Sequence, residues 1–257
     1  METFLQYAVI CPLVMLAGFV DAIAGGGGLI SLPGYLLSGL PVHNAIATNK
    51  MSSTMGTVLA TFKFAKSGFI PWKLSLSCVV CAFAGSSLGA NLALLMDAKI
   101  FMIFMLIVLP ATGIYLTRGN VLVTEKSPYT YKKTVILSMV TALFLGVYDG
   151  FYGPGTGTFL MLIFIRLAKL DTRHAAGGVK VINLSSNLGS LFTALMAGKV
   201  FIGVGLISAV ASIAGHYIGA GLAIKNGSKI VRPTVIIVLI LLTLKVGSEL
   251  LFPEFWS

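Results

Sequence analysis

Charge is what this chain has least of. Only 10% of its 257 residues are Asp, Glu, Lys or Arg, where a soluble domain carries roughly 25%. With 57% hydrophobic residues and a mean hydropathy of +0.97, a water-solvated fold is excluded and lipid is the expected solvent. Three cysteines are too few for a disulfide framework. Met1 to Tyr7 hold no basic residue, so a secretory signal peptide is not expected. No nucleotide loop is present: Gly25-Gly26-Gly27-Gly28 lacks the Gly-Lys-Ser/Thr ending that a P-loop requires. The net charge of +10 would suggest nucleic acid in a soluble protein. Here the charges sit in short loops between apolar runs, so membrane topology explains them better.

What is there is a series of apolar runs. A helix needs about 20 mostly apolar residues to cross a bilayer. Six stretches fit: 42–62, 74–96, 99–117, 174–198, 203–224 and 229–251. Two more, 4–38 and 134–168, are too long for one span. Each is broken, by Gly25 to Gly28 and by Gly153-Pro154-Gly155-Thr156-Gly157. Each reads as two shorter helices joined by an irregular tip, with helices restarting near Leu29 and Phe159. The alternative, a surface helix followed by a span, lacks the charged face that such helices need. The fold class is therefore all-α and polytopic. It comprises a first membrane repeat over 1–117, a polar cytoplasmic linker over 118–133 and a second repeat over 134–257.

The repeat is legible at an offset near 130 residues. Gly18-Phe19-Val20-Asp21 matches Gly146-Val147-Tyr148-Asp149, Lys50 matches Lys180, and Gly85 to Ala93 matches Gly215 to Ala223. Broken helices at corresponding places in two halves point to a transporter binding site. The Gly85/Gly89 and Gly215/Gly219 pairs are read as close helix packing. If each broken stretch is a hairpin, thirteen basic residues face one side: Lys63, Lys66, Lys73, Arg118, Lys126, Lys132, Lys133, Arg166, Lys169, Arg173, Lys225, Lys229 and Arg232. Only Lys99 and Lys199 flank helices on the other side. The positive-inside rule prefers that arrangement. Each half then makes three crossings, so the halves are inverted, six full spans flank two hairpins, and both termini lie outside the cytoplasm.

Charges inside such helices mark function. Asp21 and Asp149 each precede a tip. Lys50 and Lys180 each lie in the helix that follows. Lys180, Asn183, Asn187 and Ser190 share one helix face, and Lys50, Ser53 and Thr57 share another, with Asn49 beside it. Helices that restart after a tip expose backbone N–H groups that favour an anion. Gly26, Gly27, Gly155 and Thr156 stand at those starts. Asn49, Lys50, Ser53, Lys180, Asn183 and Asn187 with the tips therefore form the candidate substrate site. Asp21 and Asp149 are either coupling groups or plain counter-ions that lock the helices. No catalytic residue, metal site or cofactor is expected.

Other features read as structural. Cys78 and Cys81 have redox spacing, but lie in an apolar helix. His43 and His174 are expected at interfaces rather than on a metal, and His216 as a packing histidine. Trp72 and Trp256 fit the interfacial aromatic belt.

Asp21-Ala22-Ile23-Ala24-Gly25-Gly26-Gly27-Gly28-Leu29 with Ala47-Thr48-Asn49-Lys50 resembles the first-half signature of the TauE/SafE sulfite-exporter family. Tyr148 to Gly157 with Lys180, Asn183, Ser186 and Asn187 resembles its second. The resemblance covers nearly the whole chain. It implies a bacterial-type permease of the cell membrane for small sulfur-containing anions such as sulfite or sulfonates. The sequence alone reaches an anion transporter with inverted repeats, driven by an ion gradient, protons being one candidate. Its partners are a small anion and the bilayer, with a homodimer compatible. An uncoupled, channel-like anion facilitator and a thiol-redox or assembly factor using Cys78 and Cys81 are the competing expectations.

Overall fold

A computed structural model describes residues 2–96 and 130–231, together with 233, 234, 236–238 and 240. The predicted span 99–117, most of the linker, the end of the span 229–251 and Trp256 lie outside the described residues. Within them the secondary structure is helical throughout. The helices are α1 (Glu2–Ala24), α2 (Gly28–Leu37), α3 (Val42–Lys66), α4 (Trp72–Leu95), α5 (Tyr131–Phe151), α6 (Thr156–Leu167), α7 (Thr172–Met196) and α8 (Ile202–Asn226).

Both long stretches break where glycine permits it. Gly25 and Gly26 hold φ of 77° and 87°, and Gly153 and Gly155 hold 98° and 85°, a region that side chains with a Cβ rarely enter. The arms are unequal, which differs from the expectation of two short helices each. The first arms are 23 and 21 residues long, and the return arms α2 and α6 only 10 and 12. At 1.5 Å per residue the return arms measure about 15 and 18 Å, near half the hydrocarbon thickness. The helices restart at Gly28 and Thr156, slightly earlier than the apolar pattern indicates.

The helices form a row, α1–α8–α3–α7–α4–α5, with α3 against α7 at its centre. These two run antiparallel. Asn44 near the start of α3 donates to the Lys199 carbonyl after α7 at 2.8 Å. Gly177 near the start of α7 sits against the Phe69 backbone after α3. Gly215 and Gly219 of α8 press on the α1 backbone at Met15 and Phe19. Gly85 and Gly89 of α4 press in the same register on α5 at Leu143 and Val147. A side chain at any of the four would collide with backbone, so these glycines set the interhelical distance. Because α4 runs parallel to α5 and α8 parallel to α1, the two hairpins enter from opposite ends of the molecule. Their tips touch. Gly25 lies against Gly157 and Thr158, and the Thr158 hydroxyl donates to the Ala24 carbonyl at 3.0 Å.

Among the described residues, four helices are long and apolar enough to cross a membrane: α1 (over Gln6–Ala24), α4, α5 and α8. They carry exposed Leu76, Val80, Phe83, Ile136, Val140, Phe144, Leu206 and Val210, a surface suited to lipid. The central helices α3 and α7 are 25 residues each but fall outside that group. Their polar stripes explain it. In α7, 17 of the 25 residues are buried, so protein rather than lipid surrounds it and polar residues are tolerated there. Lys63, Lys66, Lys73, Lys132, Lys133, Arg166, Arg173 and Lys225 gather at one end of the row, with Lys199 at the other. Trp72 opens α4 at the basic end, half-exposed.

Candidate functional site

Where α3 and α7 cross the touching tips, two buried ion pairs form, each between halves. Lys50 on α3 reaches Asp149 at the end of α5, with Nζ 2.7 Å from Oδ2. Lys180 on α7 reaches Asp21 near the end of α1 at 2.9 Å. The aspartates each sit four residues before a tip, and each lysine crosses to the other half's hairpin. An ammonium and a carboxylate at this depth tolerate desolvation only when paired and hydrogen-bonded.

The surroundings satisfy both pairs in different ways. The Ser186 hydroxyl donates to Asp149 Oδ2. Lys50 donates also to Asn187 Oδ1 at 3.3 Å. Gly153 of the second tip lies beside both charges, since a Cβ there would stand 3.1 Å from Lys50 Nζ and 3.2 Å from Asp149 Oδ1. In the other cluster Lys180 donates to the Asp21 backbone carbonyl as well as to its carboxylate. Asp21 Oδ1 accepts the Gly27 N–H at 3.4 Å, tying the first tip down. His216 Nε2 stands 3.2 Å from Asp21 Oδ2. His216 was expected as packing alone; it is a member of the charge cluster. The signal for this was present in the repeat, which aligns His216 with Ser86 at the level of the charged residues.

The remaining candidates fall in several places. Asn183 is buried against Gly157 at the start of α6, and its Oδ1 has no hydrogen-bond partner. Gly155 is the left-handed N-cap of α6. The Thr156 hydroxyl turns back on the Gly153 carbonyl at 2.8 Å. Gly26 packs on Val238 and Thr158. The Ser53 hydroxyl donates to Asn49 Oδ1 at 3.5 Å. A small cleft runs in among the first turns of α3, the last turns of α4 and α7, and Gly150. His43, Lys50 and Ser190 supply its polar wall. Lys180, Asn49, Asn183 and Asn187 are not among its lining residues, so the cleft meets one lysine and leaves the other shut in. Cys78 and Cys81 are free thiols, Cys78 wholly buried in α4.

The arrangement puts the Lys50 ammonium, with Asp149 behind it, on one wall of the cleft beside His43 and Ser190. Comparison with known proteins finds relatives described as membrane transporters. The family described as sulfite exporter TauE/SafE matches residues 10–246. A probable membrane transporter of Haemophilus influenzae is 33% identical over 240 residues, covering 93% of each chain. Probable membrane transporter ORF9 of a Sinorhizobium species is 32% identical, covering 91% of this chain and 89% of its own. Probable membrane transporter YfcA of Escherichia coli K12 is 30% identical, covering 98% of each. No solved structure matches.

Proposed function

This chain belongs to the sulfite exporter TauE/SafE family of membrane transporters, and from that premise we propose that it is a secondary permease for a small anion. It would work by alternating access in the cell membrane of a bacterial-type cell. The observation that carries this reading is Lys50, a buried ammonium that lines a cleft while holding a carboxylate from the other half. An anion entering the cleft competes with Asp149 for Lys50. Loss of that pair frees the second hairpin from α3, and an equivalent exchange at Lys180 would free the first. The sequence repeat and the opposed hairpins support a design in which two inverted halves, each with three spans and a hairpin, open in turn.

The family description favours a sulfur oxyanion or organosulfonate as cargo. The positive-inside rule puts the basic end in the cytoplasm, and with it the linker, so the Lys50 cleft and both termini face outward. The charge clusters around Asp21 and Asp149 are the candidate places for linking anion movement to a proton gradient. The test is uptake of labelled sulfite, sulfoacetate, thiosulfate and sulfate into proteoliposomes, with and without a pH difference. Saturable movement of one of them supports the reading. Movement of none refutes it. Movement that ignores every imposed gradient favours an uncoupled facilitator.

A further inference from the structure

The two charge clusters are not copies of each other, and the difference is an imidazole. At the position of His216 the first half carries Ser86, whose hydroxyl turns to the Phe83 carbonyl in its own helix. The His216 ring is 2% exposed and sits in a slot that two other helices leave open for it. A Cβ on Gly18 of α1 would come within 2.7 Å of Nδ1, and one on Gly56 of α3 would overlap the ring. The counterpart of Gly56 is Ser186, the residue that donates to Asp149. One cluster has thus exchanged a hydroxyl from α7 for an imidazole from α8.

Both nitrogens of that ring face acceptors. Nε2 faces Asp21 Oδ2 at 3.2 Å, and Nδ1 faces the Ser212 backbone carbonyl at 2.9 Å. The doubly protonated ring satisfies both contacts. The singly protonated ring also has a home, because the Ser212 hydroxyl lies 3.3 Å from Nδ1 and can turn to donate to it while Nε2–H stays on Asp21. The cluster can therefore take up or release one proton at Nδ1 by rotating a hydroxyl, with no heavy atom displaced. Imidazole is the side chain that ordinarily changes charge between pH 5 and 8. Charged groups reach the ring's surroundings from three neighbouring helices. Asp21 comes from α1 and Lys180, through Asp21, from α7. Lys63 comes from α3, its Nζ 2.7 Å from the Tyr217 carbonyl and over the Tyr217 ring. Tyr217 and Lys225 are on α8 itself.

We infer that His216, and not either aspartate, is the group that binds the transported proton, and that only the cluster around Asp21 performs this task. The inference rests on the secondary-transport reading above. Its linkage follows from charge. With Lys180 on Asp21 the carboxylate is already neutralised. When an anion draws Lys180 away, Asp21 keeps His216 as its remaining cation, and a proton from the aqueous phase adds to Nδ1. Anion and proton then raise each other's affinity by the same factor. Asp149, held by Lys50 and Ser186, has no imidazole hydrogen-bonded to it among the described residues and lacks this response.

The chain has three histidines, so ring-¹⁵N-histidine-labelled full-length protein in nanodiscs gives a short spectrum. The resonance absent from His216→Gln is expected to report proton uptake and release at Nδ1 as the pH is changed. If His216→Gln does not fold, the double variant His43→Gln/His174→Gln leaves His216 as the sole imidazole and answers the same question. A His216 signal that stays constant as the pH is changed overturns the inference. In proteoliposomes, His216→Gln is expected to lose pH-driven sulfite accumulation by a larger factor than it loses sulfite exchange. Undiminished accumulation in that variant overturns the inference while leaving the transport reading intact. A titrating His216 in a protein that moves no sulfite does the reverse: the proton site stands and the sulfite reading fails.

Discussion

Asp21 and Asp149 occupy matching places and each takes an ammonium group from the opposite half, yet almost everything else around them differs. Asp149 is flanked by Ser186 and, through Lys50, by Asn187. Asp21 is flanked by His216 and caps its own tip at Gly27. The asymmetry extends outward. Tyr35 joins α2 to α3 and α8 through Ser52 and Ser208 at 2.8 and 2.7 Å, where the repeat places the apolar residues Ile165, Ile182 and Cys78 in the other half. The close approach of the outer helix pairs, by contrast, is duplicated at Gly85/Gly89 and Gly215/Gly219. Symmetry is therefore kept where helices must approach, and relaxed where side chains bind charge. Alternating access needs the first, because both openings use the same sliding surfaces. A vectorial cycle gains from the second, because one cluster can respond to protons while the other responds to the anion alone.

The largest effects should come from breaking the two ion pairs separately. Lys50→Met leaves Asp149 buried with only hydroxyl support. Removing one partner of a buried pair typically costs about 3–5 kcal/mol, and the lower thermal midpoint in detergent should reflect a loss of that order. Lys180→Met leaves Asp21 with His216 and the Gly27 N–H, so its loss should be about half as large. Both variants should lose anion flux. Equal destabilisation of the two would show that His216 does not compensate Asp21, and would erase the central difference between the clusters.

The backbone side of the comparison predicts equality instead. Gly89→Leu and Gly219→Leu each thrust a side chain into the main chain of a neighbouring helix, at Val147 and at Phe19. Overpacking of this kind costs about 1–3 kcal/mol, and the two thermal midpoints should fall together. A clear inequality would mean that the outer helix pairs are not equivalent, and that the halves diverge in packing as well as in chemistry.

How much of this was written in the sequence depends on which interactions decide it. The glycine tips and the Gly-xxx-Gly pairs were legible because positive φ and close approach each demand one residue type. The lysines and aspartates were legible because charge is rare in an apolar helix. Which lysine meets which aspartate was not, since a repeat offers both intra-half and inter-half partners and only the crossing of α3 and α7 chooses. The role of His216 was missed for the same reason: a buried histidine is ambiguous until its two nitrogens have named neighbours. The central helices are legible by length, while the reason for the low hydropathy of α7, burial by protein along most of its length, needed the neighbours to be seen.

The smallest effect, and the last way to probe the contrast, lies at the starts of α3 and α7. Pro41 precedes α3 without a side-chain cap. Asp171 precedes α7, and its Oδ1 accepts the backbone N–H groups of Arg173 at 2.9 Å and His174 at 3.3 Å. Partial burial pushes the Asp171 carboxyl up, but it is outweighed by the His174 ring, the His174 N–H and charge, and the Arg173 N–H, which together hold it below the ordinary value of 3.8. A carboxylate lowered on folding contributes stability in full above its unfolded value, and loses it as pH falls through the folded value. Asp171→Ala should therefore cost a constant amount from pH 5 to 8 and progressively less below about 3.8. A helix cap is worth about 0.5–2 kcal/mol. The low end applies here, because the side chain is exposed and water screens it. Hydrogen exchange at the first-turn amides of α7, corrected for intrinsic rate, reads this directly, with the first turn of α3 as the uncapped reference. If removing Asp171 leaves the α7 amides as protected as before at pH 7, the cap does not hold that helix start, and the two central helices begin alike.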